Sequence, residues 1–258
     1  LVWNKVKEMF RHSYLHPRYL AQRKLRRVIE TEGPKLLGRL LDVGCGKKPY
    51  KELIRNVETY IGLDVPTTMH GTSKLDVIGT AIALPFREDT FDSILCTEVL
   101  EHLPEPLVAL EEMHRVSKPG GILLLTVPLS EQLHEEPYDF YRFTKYGLEY
   151  LLGKTGWQIL KIYERGGGWL ELGYRLSSFL YSTIGATRRP SGALQPRLIA
   201  GPLIIAICAL VQVIASVLDR IWPLPLSTIL AMQSLPGGNY LEDCLYYKHL
   251  RPLSCKDV

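Results

Sequence analysis

Four short apolar runs, each closed by a turn signal or an acid, restrict the fold of this chain more than any other feature. Arg39-Leu40-Leu41-Asp42-Val43 ends in Gly44-Cys45-Gly46, and Tyr60-Ile61-Gly62-Leu63 ends at Asp64. Residues 91–96 and 121–127 are the third and fourth runs. All are too short for helices and lack polar alternation, the pattern of strands buried on both faces. Helical stretches are predicted over 49–57 and 106–116, where Leu107, Leu110 and Met113 share a face. Lys118-Pro119-Gly120-Gly121 then halts the second helix. The alternation predicts an open parallel α/β sheet, which binds ligands at the carboxyl ends of its strands.

That placement singles out Asp42-Val43-Gly44-Cys45-Gly46, where the first strand turns. Glycines there permit close backbone approach to a ligand. Asp64 closes the next strand, suited to accept both hydroxyls of a ribose. A dinucleotide fits poorly, because G-x-G-x-x-G would need glycine where the chain has Pro49. Proline removes a backbone donor that a pyrophosphate uses. The Gly-Lys-Ser/Thr ending of a P-loop is also missing. A nucleoside ligand without phosphates fits better.

These residues carry a family resemblance. LLDVGCG (40–46), YIGLD (60–64), ALPFREDTFDSILCTEVLEHLPEP (83–106) and RVSKPGGILLLTVP (115–128) occur together and in order. The chain resembles the class I S-adenosylmethionine-dependent methyltransferases of the type 11 group. The resemblance implies a Rossmann-like sheet, mostly parallel with an antiparallel final strand pair, and S-adenosyl-L-methionine as cofactor. It implies that Asp42 holds the methionine amino group, with Gly44, Cys45 and Gly46 running beside the cofactor and Asp64 on the ribose. Thr80 stands where the family commonly has an adenine-binding aspartate, followed by Ala81, and Lys48 replaces the third motif glycine. Glu98 lies at the end of the third run and is expected to line the pocket.

Methyl transfer needs alignment and exclusion of water, plus a base when the acceptor carries a proton. His134, His102 and Tyr141 are the candidates for that base. Tyr138, Phe140 and Arg142, in YDFYRFT (138–144), are candidates for binding the acceptor. The alternative is that these rings pack the helix following Thr144, its N-cap. No metal site is expected: E-x-x-E-H (98–102) lacks the first histidine of a zinc protease. His134, Glu135, Glu136 and Asp139 read as part of a lid rather than as ligands. Asp92 reads as a capping or pairing residue near the start of its strand.

Charge and apolarity divide the chain of 258 residues. Residues 1–39 form a basic, helical arm of net charge +7, within a total of +4. Such an arm either packs on the core with its lysines solvated or rests on anionic lipid. No nucleic-acid motif accompanies it. Residues 40–166 and 241–250 are assigned to the methyltransferase core, with the antiparallel pair at 157–163 and 241–248. Residues 167–240 are an apolar helical insertion with only seven charged positions, and 21 consecutive uncharged residues occupy 198–218.

That run is long enough to span a bilayer. One crossing, however, would separate two strands that must pair. A helical hairpin lying in or on one leaflet is favoured over a soluble helical cap or a double span. Five scattered cysteines, without a CxxC pair, fit a reducing compartment. The expected protein is a cytoplasmic methyltransferase, peripheral or monotopic at the inner membrane face, with an amphipathic or lipid-linked acceptor. A soluble enzyme acting on a small metabolite or cell-surface sugar, and a non-catalytic binding protein of the same fold, are the alternatives.

Overall fold

The computed structural model describes residues 13–16, 19–68, 71–164, 166–188, 194–196, 200–222 and 229–236. In chain order the elements begin with α1 (Tyr19–Glu32), β1 (Gly38–Val43), β2 (Val57–Asp64), β3 (Val77–Ile78) and β4 (Phe91–Thr97). Next come α2 (Pro106–Val116), β5 (Ser117–Thr126), α3 (Lys145–Lys154) and β6 (Trp157–Glu164). The chain continues through α4 (Gly168–Leu180), β7 (Ala186–Arg188), β8 (Leu194–Pro196), α5 (Ala200–Ile221) and β9 (Ile229–Pro236). Seven strands make one sheet in the order β3-β2-β1-β4-β5-β9-β6. The first five are parallel, and β9 runs antiparallel to both β5 and β6. This is the Rossmann-like methyltransferase sheet expected from the sequence.

Alternate side chains of the central strands supply two cores. Leu41, Val43, Ile94, Cys96, Leu123 and Leu125 pack with Leu110 and Met113 of α2 and Leu148 of α3. Their neighbours Leu40, Leu95 and Leu124 face the other way and meet Val28 of α1, Leu36 and Ile54. Burial on both faces explains why these runs carry no polar alternation. The Thr144 hydroxyl caps α3, accepting from the Gly147 N–H at 3.1 Å.

Two segments differ from the sequence reading. The helix expected over 49–57 is only a 3-10 turn, Lys51–Leu53, because β2 already begins at Val57. Lys48, at φ +55°, and Pro49 also interrupt the helical path just before it. The strand expected over 241–248 lies outside the described residues, as do residues 1–12 of the basic arm and all of 241–250. The place between β5 and β6 is filled by Ile229–Pro236, inside the stretch 167–240 read as insertion. Its Ile-Leu-Ala-Met start is as apolar as the helix before it, so sequence alone did not separate the two.

Helices α4 and α5 form an antiparallel hairpin. A Cβ on Gly173 would lie 2.4 Å from the Ala215 Cβ, and one on Gly185 would lie 2.8 Å from Ile204. Between those contacts the Ser177 hydroxyl donates to the Cys208 carbonyl at 3.3 Å. One edge of the hairpin docks on the start of α1 and the turn before it: the buried Gln212 amide accepts from the Leu20 N–H at 3.4 Å and donates to the Tyr14 and His16 carbonyls, each at 3.1 Å. The opposite side leaves Leu172, Phe179, Leu203, Leu210, Val217 and Ile221 exposed.

Candidate active site

The turn after β1 is held by its neighbour strand. The N–H groups of Gly44 and Cys45 both donate to the Leu63 carbonyl, at 2.9 and 3.1 Å. The Gly46 N–H donates to Asp64 Oδ2 at 2.9 Å, and the Val65 N–H to Oδ1 at 2.8 Å. Glycine is required at position 44: φ is +67°, and a Cβ would meet Val99 at 2.4 Å. Asp42, Gly44, Cys45, Gly46 and Asp64 therefore converge at the carboxyl ends of β1 and β2. The Cys45 thiol is buried, and burial beside Asp42 pushes its pKa up to about 12, so it is no nucleophile.

Asp42 is buried, and its Oδ2 accepts from the Tyr60 hydroxyl at 2.5 Å. Burial raises its pKa to about 7, although Tyr60 and Lys48 pull downward. The other oxygen, Oδ1, is buried without a hydrogen-bond partner among the described residues. A buried oxygen in that state suits an incoming cationic donor, and a primary ammonium group fits. Lys48 takes the glycine-like conformation of the residue it replaces and donates to Asp76 Oδ2 at 2.5 Å. Asp76 also accepts from the Gly62 N–H at 2.7 Å. Burial pushes its pKa up, but these two hydrogen bonds outweigh it and lower the result.

Tyr60, Asp76 and the ion pair of Lys48 were not picked out from sequence. Nothing local flags them, because each acts through a partner on another strand or loop. Ala81 joins the main apolar core instead of standing open to the turn, while the Thr80 hydroxyl accepts only a long contact, 3.5 Å, from the Ile82 N–H. Glu98, at φ +54°, accepts from the Thr126 hydroxyl at 3.1 Å, which ties the ends of β4 and β5 together. Asp92 is a pairing residue as expected: it accepts from Lys118 Nζ at 2.7 Å and from the Arg39 N–H at 2.9 Å.

A second cluster forms where the segments after β4 and β5 meet. The His102 and His134 rings stand edge to face, 4.8 Å apart. The Glu101 carbonyl accepts from the Phe140 and Tyr141 N–H groups at 2.8 and 3.2 Å, joining the two segments. Arg142 grips Asp139 with both terminal nitrogens, at 2.6 and 2.8 Å, and this pairing holds the Asp139 carboxyl well below the usual carboxylate range. The remaining donors of Arg142 reach the carbonyls of Glu131, Gln132 and Tyr141, so it braces the loop. The Tyr141 hydroxyl donates to the Pro104 carbonyl at 3.0 Å. Tyr138 and Phe140 are exposed at the rim.

Residues 41–125 match the family described as "Methyltransferase domain". A ubiquinone biosynthesis O-methyltransferase of Pseudomonas paraeruginosa is 29% identical over 125 residues, 44% of this chain and 51% of that protein. An uncharacterized methyltransferase of Mycobacterium leprae is 36% identical over 108 residues, 38% of this chain and 40% of its own. The chain thus spans about half or less of the curated relatives it matches. Among solved structures, a chain from the complex of the Haloferax volcanii Trm112 methyltransferase activator aligns with TM-score 0.53 and 17% identity, over 84% of this chain and 90% of its own. The [4+2]-cyclase SpnF aligns with TM-score 0.50 and 19% identity, over 83% and 81%.

Proposed function

We propose that this chain, whose residues 41–125 match the methyltransferase domain family, is a class I S-adenosylmethionine-dependent methyltransferase of the type 11 group and methylates an amphipathic or lipid-linked acceptor at the cytoplasmic face of a membrane. S-adenosyl-L-methionine is the cofactor of this family and supplies an electrophilic methyl group when bound. The observation that carries the reading is the buried Oδ1 of Asp42 beside the glycine turn, without a hydrogen-bond partner among the described residues. In this reading Asp42 takes the cofactor's amino group and Asp64 its ribose hydroxyls, while Gly44 and Gly46 leave room for its path. Thr80 is too weakly placed to do more than assist at the adenine.

The acceptor side is the cluster after β4 and β5. His102 and His134 are positioned to take a proton from an acceptor hydroxyl. The name of the Pseudomonas relative supports an oxygen acceptor. Tyr141 and Arg142 hold the loop, and Tyr138 and Phe140 offer rings at its entrance.

The exposed apolar side of the hairpin supports the membrane. Among the described residues one helix, Gly201–Ile221, is long and apolar enough to cross a bilayer, and only 28% of its most apolar window is buried. Crossing is disfavoured, because β6 and β9 pair in one sheet and α4, at 13 residues, reaches only about 20 Å. Arg23, Lys24, Arg27 and Arg220, together with Asp219, line a cleft between α1 and α5 on the docked side of the hairpin, so the apolar side is what supports membrane contact.

Calorimetry with S-adenosylmethionine tests the cofactor assignment. Asp64→Ala should weaken binding about 10- to 100-fold, the value of hydrogen bonds to a charged group; unchanged affinity rejects the ribose role. Incubating extract with radiolabelled cofactor tests the acceptor, and label confined to water-soluble products rejects a lipid-linked one. Thr80 and Lys48, standing where the family commonly has aspartate and glycine, support a second reading, a non-catalytic binding protein of the same fold. Tight cofactor binding without turnover on any acceptor would favour it.

A further inference from the structure

Glu101, His102 and His134 each offer a ligand atom, and the three atoms lie within 4.8 Å of one another. Glu101 and His102 stand in the 3-10 turn after β4, and His134 follows β5. The orientation of the two imidazoles goes beyond proximity. His102 Nδ1 lies 2.6 Å from the Tyr138 carbonyl oxygen. A carbonyl only accepts, so Nδ1 is the donor in this contact and Nε2 is the nitrogen left outside it. That Nε2 faces Glu101 Oε1 at 3.9 Å. His134 repeats the arrangement: Nδ1 lies 3.0 Å from the Gln132 carbonyl and 3.4 Å from Asp139 Oδ2. Its Nε2 is thereby left to coordinate. Metal-binding histidines characteristically donate the other ring N–H to a carbonyl or carboxylate in this way.

The third member, Glu101, is completely buried. Two imidazoles and one buried carboxylate are a zinc-class donor set.

We infer that Glu101, His102 and His134 bind one divalent ion of the zinc class, leaving a coordination position open to an acceptor oxygen. Tetrahedral zinc places its ligands about 3.3 Å apart, so binding draws His134, a partly exposed loop residue, toward the turn after β4. With the ion bound the two imidazoles serve as ligands in place of the base role proposed above, and an oxygen bound to the ion would lose its proton more readily. Only this last role rests on the methyltransferase reading; ion binding does not. The E-x-x-E-H string looked one histidine short as a zinc motif, and the fold brings His134 to it from the loop after β5.

The test uses the full chain, stripped with a chelator and titrated with Co2+ alone, without cofactor or acceptor. The expected result is one equivalent of Co2+ with ligand-field bands of mixed nitrogen and oxygen ligation, displaced by one equivalent of Zn2+. His134→Ala should lower Co2+ affinity at least 10-fold while S-adenosylmethionine affinity, measured in parallel, stays unchanged and reports an intact fold. Asp139→Asn, which loosens His134 without removing a ligand, should give a smaller loss. Absence of stoichiometric Co2+ in the native chain, or native affinity in His134→Ala, overturns the proposal. Neither result touches the cofactor assignment, which Asp64→Ala tests separately.

Discussion

Asp42 is buried with an Oδ1 that has no hydrogen-bond partner among the described residues, and the consequence depends on pH. Its pKa in the fold, about 7, lies above the unfolded value. The stability this group confers is therefore complete below about pH 4 and is lost as pH rises through about 7. In its proposed role Asp42 gives cofactor binding the opposite sign, since an ammonium group would select the ionised carboxylate. Affinity should rise between about pH 5.5 and 7.5 in calorimetry, and Asp42→Asn should flatten the profile and weaken binding at the upper end. A profile unchanged by that substitution would remove Asp42 from the ammonium role. Lys48 supplies a second case. A non-glycine residue at φ +55° costs about 1 kcal/mol, and the Lys48–Asp76 pair returns a similar amount. Lys48→Gly should thus leave the thermal midpoint nearly unchanged. Removing a cation near Asp42 and Asp64 should tighten cofactor binding a few-fold. Weaker binding would mean that Lys48 itself touches the ligand.

Among the elements, the α4–α5 hairpin depends on small residues where the helices approach most closely. Gly173 has no space for a side chain against Ala215, so Gly173→Leu must part the helices. The cost should be about 1–3 kcal/mol, read as a lower melting temperature and faster proteolysis between α4 and α5. Unaltered cleavage would show that the helices do not pack there. The same element shows the limits of sequence. The uncharged run 198–218 announced a long helix, and α5 occupies Ala200–Ile221. Its composition did not say which side would be covered. Gln212 decides that by anchoring α5 to Tyr14 and His16, which turns Leu203 and Leu210 outward. The first helix of the core is the reverse case: 49–57 looked helical by pattern, but β2 claims Val57 and only Lys51–Leu53 turns.

For the molecule as a whole, one sheet joins the cofactor turn, the histidine cluster and the hairpin. If the hairpin rests in a leaflet, the protein should float with anionic vesicles and part of that binding should survive high salt, which screens only the charged share. Leu203→Glu with Leu210→Glu should abolish flotation while leaving cofactor affinity intact. A native protein that stays with the soluble fraction at low salt would sink the membrane reading. Sequence by itself determined the parallel sheet, the glycine turn and the pair Asp42 and Asp64, because strand burial and turn geometry are local demands written into neighbouring residues. It also determined that a charge-poor insertion follows β6. Tertiary structure alone decided that Ile229–Pro236 closes the sheet, that Tyr60 engages one oxygen of Asp42 and leaves the other bare, and that His134 meets Glu101 and His102. Those outcomes depend on contacts between residues far apart in the chain, whose register no local pattern encodes.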